Sequence, residues 1–313
     1  MLEKVLSTLF IVNFLASTIR VAAPILFLVL GEIYAEKSGV LNIALEAQML
    51  TGALVGFIGA YYTHNNWLGL LIGIVGGSLI SLLFAFLTVT LRADQIVVGI
   101  TLNIFALGLT TFIYRVLFGV AIIPPHVEPM PEITLPVLSA LPFVGPILFQ
   151  QKALVYLAFL VVPIAYFVLY RTTIGLNIRA VGEYPLAAET VGINVRGIRY
   201  MCILLTGVGA GLGGAFLSIG QLSRFTDNMA AGRGFIALAI VIFGQWNPYR
   251  AALAALIFGA ADALQLSLQA VGLQIPSQFL LMLPYAVTVI AMIVVARRAI
   301  APASLAQPYV KEG

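Results

Sequence analysis

Long apolar runs constrain this chain more than any other feature. Eight of them, at 8–33, 41–62, 67–90, 95–118, 152–170, 199–221, 250–270 and 279–296, meet or approach the roughly 20 helical residues that about 30 Å of hydrocarbon requires. A shorter run, 234–246, fits either a thin span or a re-entrant segment. Transmembrane β-strands would be about 10 residues long and strictly alternating, whereas these runs are apolar all round. Charged residues make up only 9% of the chain, against roughly 25% in soluble domains. A water-facing surface cannot be built from so few, so the solvent is lipid. The expected fold is all-α, a polytopic transmembrane helix bundle of about 8–10 spans forming one domain over 1–313.

The net charge of +4 carries no stripe of Lys and Arg with interleaved aromatics, so it is not a nucleic-acid footprint. In membrane proteins such charge marks orientation. With 234–246 spanning and the C-terminus cytoplasmic, Lys37, Arg92, Arg171, Arg179, Arg196, Arg199, Arg250, Arg297, Arg298 and Lys311 fall inside. Lys4, Arg115, Lys152, Arg224 and Arg233 fall outside, and Arg20 lies within the first span. This bias predicts an external N-terminus and nine spans. No small-residue cleavage pattern follows Glu3 and Lys4, so no signal peptide is expected. The single cysteine, Cys202, sits in an apolar run and reads as a small buried hydrophobe.

Residues 119–150 contain seven prolines, which rules out a regular helix and predicts an external loop. Small residues recur at four-residue spacing as Gly52/Gly56, Gly69/Gly73/Gly77 and Gly207/Gly211/Ala215, a pattern that lets helix backbones approach closely in lipid. Bundle packing is the plain reading, and a gating role the alternative.

The segment 171–199 falls on the cytoplasmic side. Within it, Gly182-Glu183-Tyr184 predicts a break, Pro185 suits a first helical turn, and Leu186 through Val191 continue the helix. Gly192 is placed to cap it. A two-turn helix is too short to stand alone, so it needs something to dock on.

The run RAVGEYPLAAETVGINV resembles the coupling loop of ATP-binding cassette importer permeases. Their general pattern is Glu-Ala-Ala, three residues, then Gly; Leu186 stands here in place of the leading Glu, before Ala187, Ala188 and Gly192. It is most similar to permeases of the nucleoside and simple-sugar uptake group, relatives of branched-chain amino acid and ribose permeases. The runs at 31–53, 91–110 and 231–259 resemble the same group, in the same order. The resemblance implies a multi-pass protein of the bacterial inner membrane that moves a small polar substrate. Its partners would be a second homologous permease subunit, two cytoplasmic ATPase subunits and an external substrate-binding lipoprotein. It implies ATPase coupling through Gly182, Glu183, Pro185, Ala187, Ala188, Glu189 and Gly192. The chain has no G-x-x-x-x-G-K-[ST] phosphate loop, so it is expected to bind no cofactor and to be no enzyme. ATP with magnesium would sit on the ATPase partners.

Polar residues inside the spans need partners or a wet cavity. Asn42 and Glu46 are four apart on one face, after Gly39, which suggests a helix starting within the membrane. Asn103 projects from the fourth run. Asp262, Gln265 and Gln269 share a face. These six are the candidate lining of a translocation path. A structural alternative pairs Arg20 with Glu46 or with Asp262. Phe105, Tyr114, Phe216 and Phe225 could stack on a base or simply pack. Arg224, Asp227 and Arg233 read as an external charged patch. His64 and His126 have no metal-ligating neighbours at suitable spacing. A secondary transporter or channel using Glu46 or Asp262 as a proton or sodium site is the competing function; an intramembrane enzyme lacks candidate residues.

Overall fold

The structure, a computed structural model, describes residues 8–119, 124–134, 136, 138–270, isolated positions between 279 and 289, and 300–310. Lys4, Arg297, Arg298, Lys311 and most of the run 279–296 lie outside the described residues.

Helix α1 (Thr8–Lys37) is one unbroken rod with Pro24 inside it; at 1.5 Å per residue it is about 45 Å long. After a non-helical stretch come α2 (Leu45–Thr63), α3 (Asn66–Ala85) with a π turn over Phe86–Thr90, and α4 (Gln95–Phe118). Asn65 starts α3 by accepting from the N–H groups of Trp67 and Leu68, and Asp94 starts α4 by accepting from those of Ile96 and Val97. Both satisfy amides that a helix start leaves unpaired.

Among its described residues, the proline-rich stretch contains no long helix. Its strand β1 (Glu132–Thr134) pairs antiparallel with β2 (Gln150–Lys152), with the short α5 (Val144–Leu148) between them. Then follow α6 (Ala153–Arg171), α7 (Thr173–Glu183), α8 (Pro185–Thr190) and α9 (Val195–Ala215), the last ending in a π turn over Phe216–Gln221. α10 (Arg233–Phe243) and α11 (Pro248–Ala270) complete the described helices.

Six helices among the described residues are long and apolar enough to cross a membrane: α1, α3 and α9 with their π turns, α4, α6 and α11. The count of nine runs adds α2, whose polar Glu46 and Gln48 are buried, then α10 and 279–296. At eleven residues α10 is only about 16 Å long, half a span. Its segment nevertheless runs from one end of the bundle to the other. At the loop end Ser223 accepts from the Val127 N–H (2.9 Å), and the Gln221 side chain donates to the Arg20 carbonyl (2.6 Å). At the other end, which carries Lys37 and Arg179, the Trp246 indole donates to Glu36 (2.5 Å). Arg20 and Lys37 are about 25 Å apart along α1, so 223–246 covers that length as an irregular half at the loop end followed by a helical half.

The predicted glycine spacing forms a seam among α2, α3 and α9. A Cβ on Gly52 would lie 2.5 Å from the Gly211 Cα, and one on Gly77 2.6 Å from the same atom. A Cβ on Gly56 would stand 2.8 Å from that of Ala215. With no hydrophobic drive between helices in lipid, this backbone contact supplies the van der Waals attraction that binds the bundle. Around it Phe57, Phe216, Leu26, Leu28 and Met49 fill the buried centre. Cys202 is buried and unpaired, as expected.

Candidate coupling corner and polar centre

At the basic end, α7 and α8 form a corner. Thr172 starts α7 by accepting from the Gly175 N–H (3.2 Å). The break expected over Gly182-Glu183-Tyr184 narrows to Tyr184, because Gly182 and Glu183 are the last residues of α7. Gly182 serves contact, not flexibility: a Cβ there would meet the Lys37 carbonyl carbon at 2.8 Å, so only glycine lets α7 rest on the foot of α1. Pro185 opens α8, where its missing N–H costs nothing. Gly192 follows the helix at φ +86°, in the left-handed region that favours glycine.

The inner face of α8 docks on its own chain. Ala188 is 4% exposed and packs with Val181, Val195 and Tyr309. On the outer face Tyr184, Leu186 and Val191 are 72%, 42% and 75% exposed. Ala187 and Glu183 are also exposed, and Glu189 is half-buried. A run of bare apolar side chains beside the basic end of the bundle is the mark of an interaction site.

A strap of chain that carries no motif holds the corner down. Ser304 donates its N–H to the Gly182 carbonyl (3.0 Å) and its hydroxyl to the same oxygen (2.7 Å). The Ala303 N–H donates to Glu183 (3.3 Å), and the Tyr309 hydroxyl hydrogen-bonds Glu189. The Ala306 N–H reaches the Gly39 carbonyl (3.2 Å). Beneath these contacts the buried Arg199 guanidinium donates to the Ser38 carbonyl (3.3 Å) and the Gln307 carbonyl (3.0 Å).

Deeper in the bundle, α2 starts inside the membrane, as the phrase GVLNIALE predicts, but only at Leu45. Residues 39–44 are non-helical, and side chains from other segments satisfy their polar groups. Gln95 accepts from the Leu41 N–H (2.8 Å) and Glu32 from the Asn42 N–H (3.0 Å). Asn103 accepts from the Ala47 N–H and donates to the Ile43 carbonyl, both at 2.9 Å. The Asn42 amide donates to Thr206 (2.8 Å) and Gln48 (3.2 Å).

Glu46 does comparable work for α10. Its two carboxylate oxygens accept from the Gly232 and Gly234 N–H groups, each at 2.7 Å. Two half-helix starts therefore meet at mid-depth, and a carboxylate lies on the positive end of one of them. Beside it Arg233 pairs with Asp262 (3.6 Å). Gln265 is half-buried and Gln269 exposed on the same face of α11.

Two expected pairings are therefore corrected. Arg20 meets neither Glu46 nor Asp262. It lies at the loop end, bonding Gln151 (2.8 Å) and pairing with Glu132 (3.4 Å), because α1 presents it beside the β1–β2 hairpin. Arg233 leaves the external patch for Asp262, and Asp227 pairs with Arg115 (3.1 Å) instead. Nearby, Lys152 donates to the Gly220 carbonyl. Burial lowers its proton affinity, with Glu132 opposing and Arg20 assisting.

Of the four candidate stacking aromatics, Tyr114 and Phe225 pack on each other (5.2 Å between centroids), Phe216 is buried and Phe105 is exposed. His64 closes α2 in the left-handed region and His126 is exposed. Among the described residues no cluster of His, Cys, Asp and Glu could hold a metal.

Sequence reasoning also missed Glu32 and Glu36, buried one turn apart on α1. Each has one oxygen without a partner among the described residues; the others hold Asn42 and Trp246. Their i, i+4 spacing inside an apolar run was the available signal.

A family model described as branched-chain amino acid transport system / permease component matches residues 14–296. A guanosine ABC transporter permease protein, NupQ, from Bacillus subtilis is 38% identical over 306 residues, covering 94% of this chain and 95% of that protein. A nucleoside ABC transporter permease protein, NupC, from Lactococcus lactis is 38% identical over 321 residues, covering 98% and 99%. A putative glucose ABC transporter permease protein, TsgC13, from Haloferax volcanii is 38% identical over 268 residues, covering 84% and 80%. No solved structure matches the chain at a significant level.

Proposed function

Because the chain belongs to the branched-chain amino acid transport system / permease component family, we propose that it is the membrane-spanning subunit of an ATP-driven importer for nucleosides or simple sugars. Separate cytoplasmic ATPase subunits supply the energy, an external binding protein delivers the substrate, and a second permease subunit completes the path. No cofactor binds this chain; ATP and magnesium belong to the ATPase partners.

The observation that carries this reading is the α7–α8 corner. It offers exposed Tyr184, Leu186 and Val191 outward while Ala188 anchors it inward. A peg seated on the bundle and bare on its other face can receive a push from a docked protein. Closure of the ATPase dimer moves α8, and the spans behind it reopen on the opposite side of the membrane.

The polar centre supplies the path's frame. Asn42, Glu46 and Asn103 border the path through the half-helix ends they hold, since their hydrogen-bonding groups are engaged by neighbouring chain. Asp262, Gln265 and Gln269 form the stripe facing an uncharged, hydroxyl-rich substrate.

Reconstitution into liposomes tests the proposal. Uptake should require the ATPase subunits and enclosed ATP, and a cysteine at Leu186 should cross-link to the ATPase. Gradient-driven uptake by this chain alone would overturn it.

A further inference from the structure

We propose that residues 303–310 are a transmission strap, with Arg199, Ser304 and Tyr309 as positioning residues that make α8 move together with the foot of α1. This inference rests on the reading of α8 as the ATPase docking peg and asks how a push there reaches the path.

The corner is poorly held without the strap. A two-turn helix contributes almost nothing to its own stability. The apolar cluster beneath α8 consists of Val181, Ala188, Val195 and Tyr309, and Tyr309 is its largest member. Strip the strap away and Ala188 keeps only Val181 and Val195 as buried neighbours, with Ala180, Ile193 and Ile198 partly buried beside them. Four segments distant in sequence meet at this point: 38–39, 181–183, Arg199 and 303–309. The strap touches all the other three. Ser304 takes the Gly182 carbonyl, Ala306 the Gly39 carbonyl, and the Gln307 carbonyl takes Arg199.

Arg199 makes the arrangement stiff. Its guanidinium is buried, and its hydrogen bonds run to two neutral carbonyls, one on the foot of α1 and one on the strap. One of its nitrogens has no hydrogen-bond partner among the described residues, and the strap's Tyr309 ring lies 6.0 Å from the guanidinium carbon. A buried cation held this sparingly tolerates little displacement of either carbonyl, so the strap and α1 keep their spacing. Gly39, at φ +89°, follows Ser38 directly in the non-helical stretch whose Asn42 amide is held by Glu32 and whose Ile43 carbonyl is held by Asn103. A shift of α8 that carries the strap therefore pulls on the chain entering the polar centre. Side-chain contacts alone would let α8 rock in place.

The test uses the complete importer in liposomes, with a Leu186→Cys reporter in every background. Three permease variants are compared: Tyr309→Ala, Tyr309→Phe and a chain ending at Pro302. Docking is read by cross-linking to the ATPase, and coupling by substrate moved per ATP hydrolysed. With Tyr309→Ala and the truncation, cross-linking and ATP hydrolysis should persist while substrate moved per ATP falls by about tenfold, as expected when the transmitting state loses its population advantage. Tyr309→Phe keeps the ring in its cluster and should retain most of the coupling. Should the truncated chain fail to reach the membrane, Tyr309→Ala decides alone. Unchanged substrate per ATP with cross-linking intact would overturn the strap. So would coupling lost only together with cross-linking, which would make the strap part of the docking surface. Absence of cross-linking in the otherwise unaltered importer would overturn the docking reading beneath it instead.

Discussion

Replacing Glu46 with glutamine separates a structural from a substrate-binding role for the most deeply placed carboxylate on the candidate path. Its two oxygens accept from the Gly232 and Gly234 N–H groups at 2.7 Å each. A glutamine amide keeps one acceptor and turns an NH2 toward the other N–H. That donor is left facing a donor in a buried site, at about 1–3 kcal/mol. Loss of the negative charge at the start of α10 adds about 0.3–2 kcal/mol. The sum is about 1–5 kcal/mol, or about 2–8 °C in Tm for a chain of this size. The assay is thermal unfolding of the purified subunit in detergent, alongside uptake by the assembled importer. Both should fall, and substrate should not restore the lost stability. A Glu46→Gln protein that unfolds within about 1 °C of the parent yet transports nothing would refute the capping argument and place the carboxylate on the substrate.

Four further outcomes follow from the geometry. Gly211→Val should prevent assembly of the bundle, because a Cβ there meets the Ile74 Cα at 2.9 Å and backbone cannot step aside. Gly108→Ala, with nothing within 4 Å, should leave the detergent-extracted protein monodisperse and gain up to about 1 kcal/mol in helix propensity. Gly182→Leu should lift α7 from the Lys37 carbonyl, abolishing uptake while the subunit remains in the membrane at normal amounts by immunoblot. Asp262→Asn should cost about 1–3 kcal/mol, a discount on a fully buried pair because both partners keep some solvent. Adding Arg233→Gln should recover part of this loss in a double-mutant unfolding cycle.

Periodicity and local chemistry made much of the fold legible. The long apolar runs before residue 271 became helices of the bundle, and Pro185 and Gly192 marked the bounds of α8. The start of α2 inside the membrane was readable from Gly39 and Asn42, and the four-residue glycine spacing became the seam. These signals act within a turn or two of chain. Partnerships across the bundle were not readable. Glu46 reaches Gly232 and Gly234, Arg233 reaches Asp262, and Arg20 reaches Glu132, and only the tertiary fold decides which of several cations and carboxylates meet. The strap escaped for a different reason. Residues 300–310 have neither apolar periodicity nor a charge cluster, and they hold the corner mainly through backbone amides and carbonyls that every sequence possesses. The face of α8 was half legible. Its need for a dock was clear, but Tyr309 and Val181 already supply part of that dock from within the chain.

The glycine seam also dictates where this molecule can bend. Where Gly52, Gly77 and Gly211 bring three main chains into touch, sliding one helix by a single position would drive Ile74 or Leu212 into space that holds only hydrogen atoms. α2, α3 and α9 are therefore locked in one register and travel as a block. Any opening of a passage must be taken up where the chain lacks a helix: the seven residues entering α2 and the irregular approach to α10. Those two breaks are the joints of an otherwise rigid frame, and a compound wedged between them would arrest it.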